Sequence, residues 1–243
     1  LERHRRAPGD LDIPAMIARA SAQARDSLRA RLPRGGSMPV VMESDALEYV
    51  FDPFITHAGG ALQYRGLSRF HPGEPVIPAR RGEPIFLASD GLLVHGNNSL
   101  PFDEDGVPAH RIAVVEDGRF LSPVCDQEHS QYLGVRATGP FANKVLGSGP
   151  RSLSELVGDG GPLLHVVAFS SCIPDNLTGD FVGEIRLAYE HRDGAVIPVK
   201  GGAVSGNVFN AFADAHFSAE REFRGDYLGP RAVRLGPLTV VGV

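Results

Sequence analysis

No apolar run in the 243 residues approaches the ~18 needed to cross a membrane as a helix, and residues 1–6, Leu-Glu-Arg-His-Arg-Arg, lack the apolar core of a secretory signal. Both absences point to a cytoplasmic protein with no membrane partner. Cys125 and Cys172 are too few for a disulfide framework and are not spaced as a C-x-x-C pair, so both are expected to be buried thiols. Lysine occurs only at Lys144 and Lys200 among 24 basic residues, an arginine bias read as the codon usage of a GC-rich genome. With a net charge of −5, the cluster Arg3, Arg5 and Arg6 is a solvated arm, and nucleic acid is not expected as a partner. The chain begins with leucine, as a processed product or a fragment would.

Catalytic signatures are missing too. A helical zinc peptidase needs two histidines on one helix face with a glutamate between them, as in H-E-x-x-H. The nine histidines are scattered singly, no two of them three or four positions apart. Glu128-His129 and Glu190-His191 set an acid beside a histidine, but neither is followed by a second histidine at ligand spacing. There is no G-x-S-x-G elbow and no phosphate-cradling G-x-x-x-x-G-K pattern. Cys172, after an apolar run that contains His165, leaves a thiol hydrolase open as an alternative, since a thiolate beside a base is a nucleophile. Asp103-Glu-Asp-Gly106 lacks the alternating ligands of a calcium loop and reads as a turn. No catalytic and no metal-ligating residue is therefore assigned.

What is present is a foldable mixture, 42% hydrophobic and 22% charged. From Asp10 to Leu32, Ile13, Met16, Ile17, Ala20, Ala24 and Leu28 recur at spacings of three and four, which predicts an amphipathic helix packed on the core, capped by Asp12 with Pro14 in its first turn. Met38–Met42 reads as a buried strand. Ser44–Ala58 reads as a helix capped by Ser44, with Leu47, Val50, Phe51 and Phe54 inward and Pro53 as a weak point. Residues 59–82 read as loop or short strands. Two hairpins are predicted, turning at Asp117-Gly118 and at Asp193-Gly194. In the second, Phe181, Gly183, Ile185, Leu187 and Tyr189 alternate with Val182, Glu184, Arg186, Ala188 and Glu190, the pattern of a half-buried strand. Helices are expected over Asp126–Leu133, ended by Gly134, and over Asn207–Phe217, with strands at Leu163–Phe169 and Val233–Val243. Strands outnumber helices without a strand–helix–strand alternation, so the fold class is α+β, with mixed, largely antiparallel sheets and a few packing helices.

Several strings, in order, resemble the C-terminal domain of the TldD/PmbA metallopeptidase family: Met38–Val41, Pro101–Pro108, Glu116–Gly118, Tyr132–Gly134 with Ala137–Gly139, and then Thr178–Phe181, Gly194, Pro198–Gly201 and Ser205–Asn207, which reproduce T-G-D-F, d-G, P-V-K-G and S-G-N. The resemblance runs from about Met38 onward and divides the chain into a lead-in helix, 1–36, and a family-like domain, 37–243. It implies a heterodimer that hydrolyses peptide bonds, in which a TldD-like subunit supplies zinc ligands from H-E-x-x-x-H and a late cysteine. Neither is present here, so the chain resembles the TldE/PmbA partner. No cofactor is then expected on this chain, zinc is expected in the partner subunit, and a peptide is the expected substrate. The family's larger N-terminal α/β domain has no counterpart in the sequence. The loops with Thr178, Gly179, Asp180, Phe181, Lys200 and Asn207 are expected near a shared substrate channel or interface; as residues they equally suit turns and caps. The alternative is a non-proteolytic binding or scaffold protein on the same fold.

Overall fold

A computed structural model of the chain describes residues 11–47, 49–158 and 161–242, so the arginines at 3, 5 and 6 and the expected helix start at Asp10 lie outside the described residues. The strands are β1 (Gly36–Glu43), β2 (Leu87–Asp90), β3 (Arg111–Glu116), β4 (Arg119–Phe120), β5 (Asn143–Leu146), β6 (Leu163–Cys172), β7 (Asp180–Arg192), β8 (Ala195–Val199), β9 (Ala203–Asn207), β10 (His216–Phe217), β11 (Arg221–Arg224), β12 (Tyr227–Pro230) and β13 (Ala232–Val241). Between them lie helices α1 (Ile13–Arg29), α2 (Ser44–Leu47), α3 (Asp52–Ala58), α4 (Gly60–Tyr64), α5 (Gln127–Leu133), α6 (Leu153–Val157) and α7 (Val208–Ala211).

Seven strands form the first sheet. In it β1 pairs with β6 in parallel and with β13 antiparallel, and the run β6–β7–β9–β13 returns to β1, so the hydrogen bonding closes into a ring. Closing a sheet needs strongly bent strands, and bulges supply the bend. One sits on β13 opposite Pro39 and Val40; three more irregularities interrupt the β6–β7 ladder. The second sheet runs β11–β12–β5–β2–β3–β4, with only β5 and β12 parallel. The α+β class with largely antiparallel sheets holds. Both predicted hairpins form, and Asp117 and Gly118 (φ 47° and 71°) and Asp193 and Gly194 (φ 51° and 74°) take the left-handed conformation that a two-residue type I′ turn demands.

Phenylalanines fill the core between the elements. Phe51 and Phe54 meet Phe212 edge-on at 5.2 Å, Phe54 meets Phe209 at 5.2 Å, and Phe70 reaches Phe120 on β4. The expected inward residues Leu47, Val50, Phe51 and Phe54 are all buried. Their segment is two helices rather than one, because Pro53 cannot donate a hydrogen bond inside a helix and instead starts α3. The side chain of Ser44, the expected cap, is outside the described residues. The expected helix at 207–217 is likewise short: α7 runs into a 3-10 turn at Phe212–Asp214 and then into β10.

Two expectations are overturned by tertiary context. On β7 the expected alternation holds through Leu187 and breaks at Ala188, where the pairs Ala168–Leu187 and Val166–Ala188 leave Val167 of β6 as an extra residue. Ala188 and Glu190 are buried, although the alternation placed them with the solvent-facing set. The second correction concerns α1. Asp12 caps it, accepting from the Ala15 amide at 3.0 Å, and a proline occupies its first turn as expected, yet none of its residues is buried. It is held by polar contacts: Arg19 reaches Glu43 at 2.6 Å and Asp26 accepts from the Tyr189 hydroxyl at 2.8 Å. The apolar stripe faces away, with Ile17 61% and Leu28 86% exposed. Ile17→Glu is accordingly expected to change the unfolding free energy by no more than about 0.5 kcal/mol in urea titrations, the range of ordinary surface substitutions, rather than the 2–5 kcal/mol of a core truncation.

Candidate functional site

Five of the six expected site residues gather where β7 begins and β9 ends. Asp175 starts the turn, its Oδ1 accepting from the amides of Leu177 (2.9 Å) and Thr178 (2.7 Å), which hold its carboxyl below the usual carboxylate range. Gly179 sits at φ +81°, and a Cβ there would lie 2.6 Å from the Phe209 ring, so only glycine fits. Asn207 binds the turn from the other side. Its Nδ2 donates to Thr178 O and Asp180 Oδ1, both at 2.8 Å, while its Oδ1 caps α7 through the Asn210 amide. Phe181 is buried in the core. Lys200 is elsewhere, beyond the opposite end of β9, in an open groove with Arg31, Glu184 and Arg186.

Beneath the turn, His57 accepts from the Arg69 amide at Nδ1 (3.1 Å), so its Nε2 carries the proton and donates to Leu177 O at 2.9 Å. Burial lowers its pKa, which keeps the ring neutral at physiological pH. Arg69 stacks 3.9 Å from the Phe209 centroid, closing this small assembly. Every polar group named here is spent on holding the turn.

The thiols offer no chemistry. Cys172 and Cys125 are buried, and burial pushes both up to about 11, far from a thiolate at neutral pH. His165 lies seven residues back along β6, roughly 23 Å at the usual strand rise. The thiol-hydrolase alternative therefore lacks its base as well as its nucleophile. Asp103 accepts from the amides of Asp105 and Val107, which makes the acidic run the turn it was read as.

Sequence reasoning missed a charge cluster around Glu43. Glu43, at the end of β1, is 4% exposed; its Oε2 lies 2.6 Å from Arg19 and 3.4 Å from Arg231, and its Oε1 lies 3.0 Å from His165 Nε2. Burial opposes its ionisation, but the His165 hydrogen bond and the charges of Arg19, His165 and Arg231 prevail and bring it down to about 2. Burial and the bond to Asp26 push Tyr189 up to about 12. Nearby, Glu190 is 1% exposed beside Arg192, 3.1 Å away, and the His165 and His191 rings are 6.0 Å apart. The partners come from α1, β1, β6, β7 and the residue before β13, and no short string announces such a cluster. An acidic residue closing the apolar run Val40–Met42 was the one available signal.

His57 uses both ring nitrogens in hydrogen bonds, His129 turns Nδ1 onto Asp126, His216 turns Nδ1 onto Glu83, and the Glu43 carboxylate beside His165 is shared by two arginines. Among the described residues no three His, Cys, Asp or Glu side chains converge to hold a metal. No helix among them is long and apolar enough to cross a membrane.

The PmbA/TldA metallopeptidase C-terminal domain model matches residues 35–242. An uncharacterized protein of Methanocaldococcus jannaschii is 26% identical over 206 residues, covering 80% of this chain and 48% of its own length. A metalloprotease TldD homolog of Buchnera aphidicola is 24% identical over 189 residues, covering 71% of this chain and 38% of its own. The crystal structure of TldE from Thermococcus kodakarensis superposes with a TM-score of 0.82 at 19% identity, covering 96% of this chain and 56% of that one, a likeness of fold alone. The chain thus spans about half the length of these proteins, or less.

Two substitutions test the geometry. Asn207→Ala removes a helix cap and two turn bonds and is expected to cost about 1–2 kcal/mol in urea unfolding. Glu43→Gln should cost about 3 kcal/mol at neutral pH, because it strands Arg19 and Arg231. The Glu43 carboxyl is depressed in the fold, so its contribution is complete above its ordinary value of 4.5 and is lost as pH falls towards about 2. The stability gap between the wild type and this variant should therefore close over that window; a gap independent of pH would remove Glu43 as the titrating group.

Proposed function

Because the chain belongs to the PmbA/TldA metallopeptidase C-terminal domain family, we propose that it is the non-catalytic, TldE/PmbA-like subunit of a heterodimeric zinc metallopeptidase that hydrolyses peptide bonds. A TldD-like subunit supplies the zinc, and this chain completes the substrate channel, working in the cytoplasm. Residues 37–243 form the family domain, and 1–36 are its lead-in.

The observation that supports this reading most is the state of the donors. Among the described residues no three His, Cys, Asp or Glu side chains converge on a metal, both thiols are buried with their pKa pushed up, and the family's chemistry requires a metal-activated water. On this reading the activity resides in another polypeptide. A second support is the surface around the Thr178–Phe181 turn, where Ile173, Leu177 and Val182 are exposed together with Asp180. Apolar side chains concentrated on one loop suit a surface that another chain covers.

The test is reconstitution. Co-expressed with a zinc-bearing, TldD-like chain of the same genome, this protein should co-purify with it, and the mixture should cleave an unfolded peptide that neither chain cleaves alone. Zinc analysis should find the metal with the partner. Stoichiometric zinc on the isolated chain together with peptide cleavage would overturn the proposal, and a complex that holds peptides without cleaving them would point to a binding protein on the same fold.

A further inference from the structure

The outer edge of β3 is open. β2 pairs with residues 111–115 on one side, but on the other side β4 takes only Val115 and Glu116, and Leu121 adds one bond to Val114 O. No strand among the described residues covers Arg111–Ala113 on that side. This edge faces a groove of about 520 Å3, whose lining includes Leu92, Ile112, Val135, His110, Arg111 and Arg136. Leu92 and Val135 are exposed, as are Val94, Leu100 and Phe102 along the adjoining 91–102 loop.

The charge of the groove is one-sided. Arg136 spends one donor on His110 Nε2 at 3.1 Å and has no carboxylate within ion-pair distance among the described residues. Arg111 is mostly exposed, its Nε 3.7 Å from Asp90 Oδ2. An unpaired strand edge supplies main-chain donors and acceptors at the spacing of an extended peptide, and a guanidinium beside it offers a fork matched to a carboxylate.

We infer that the 111–113 edge of β3 receives an extended peptide as an added strand and prefers one bearing a carboxylate, which Arg136 binds with support from Arg111. The inference rests on the reading above, in which this chain lines a peptide channel, and it names the substrate class: extended acidic segments. A second copy of this chain is a poor occupant, since two-fold pairing of β3 edges would set Arg111 and Arg136 against their own counterparts. Nucleic acid is disfavoured by two arginines on a chain of net charge −5.

The experiment uses the full chain and two short fluorescent peptides of alternating valine and threonine, acetylated and amidated, one with a central glutamate and the other with glutamine there. Anisotropy should show the glutamate peptide bound about tenfold more tightly, as for one charge-assisted contact, with the advantage shrinking at high salt. Arg136→Gln should abolish the advantage while leaving the weaker binding of the glutamine peptide. Arg186→Gln, in the separate Lys200 groove, should change neither, and matched melting temperatures would show that both variants fold. Hydrogen exchange should slow at residues 111–113 when the glutamate peptide binds. Equal affinity for the two peptides, no binding of either, a preference that survives Arg136→Gln, or a dimer that buries this edge would each overturn the inference. Hydrolysis by the mixture with the zinc subunit is a separate readout. Cleavage without the glutamate preference sinks this site and leaves the proposed function standing; preference without cleavage does the reverse.

Discussion

β1 is hydrogen-bonded along both edges, to β6 on one side and over its whole length to β13 on the other, and this double pairing closes the first sheet into a ring. Strands inside the ring have little freedom to slip, because a shift of one residue would turn every buried side chain outward, and only the branches β8 and β10 leave edges beside it. The bulges at Gly236 and along β6 and β7 are the local departures that let the strands bend far enough to meet. Closure also sets the charges in place: it brings Glu43, at the end of β1, beside His165 on β6 and Arg231 at the entry to β13, and Arg19 then ties α1 to that point.

The second sheet contrasts with the first. It remains open, and the reach of β4 over only two residues of β3 leaves a stretch of backbone facing a groove lined by Arg111 and Arg136. The closed ring and its ionic cluster give rigidity, whereas the open sheet and the apolar loop at 173–182 offer surface.

Much of the fold was legible because it rests on local rules. Asp117-Gly118 and Asp193-Gly194 announce type I′ turns, Gly134 takes the left-handed cap of α5, and the apolar runs become β1, β6 and β13. The failures have tertiary causes. The stripe Ile13, Ile17, Ala24 and Leu28 has the period of a core helix, yet α1 docks by its polar side because Glu43 and Tyr189 await it there. Glu190 is buried because the alternation breaks at Ala188, beside an irregularity that only the pairing with β6 reveals. At the site, the strings around Thr178 and Asn207, expected near a channel or interface, meet at one turn, while Lys200 is separated from them by the length of β9. The ionic cluster and the β3 groove draw on residues too far apart in sequence for any short string to mark them.

The ring has a kinetic corollary. A ribosome that has just released β1 must add nearly two hundred more residues before β13 emerges, so one whole flank of β1 stays unpaired through most of synthesis. Contacts this remote make for slow folding and leave an apolar strand open to wrong partners in the meantime. The parallel β1–β6 pairing, available earlier, can shelter only Val40–Met42 on the other flank.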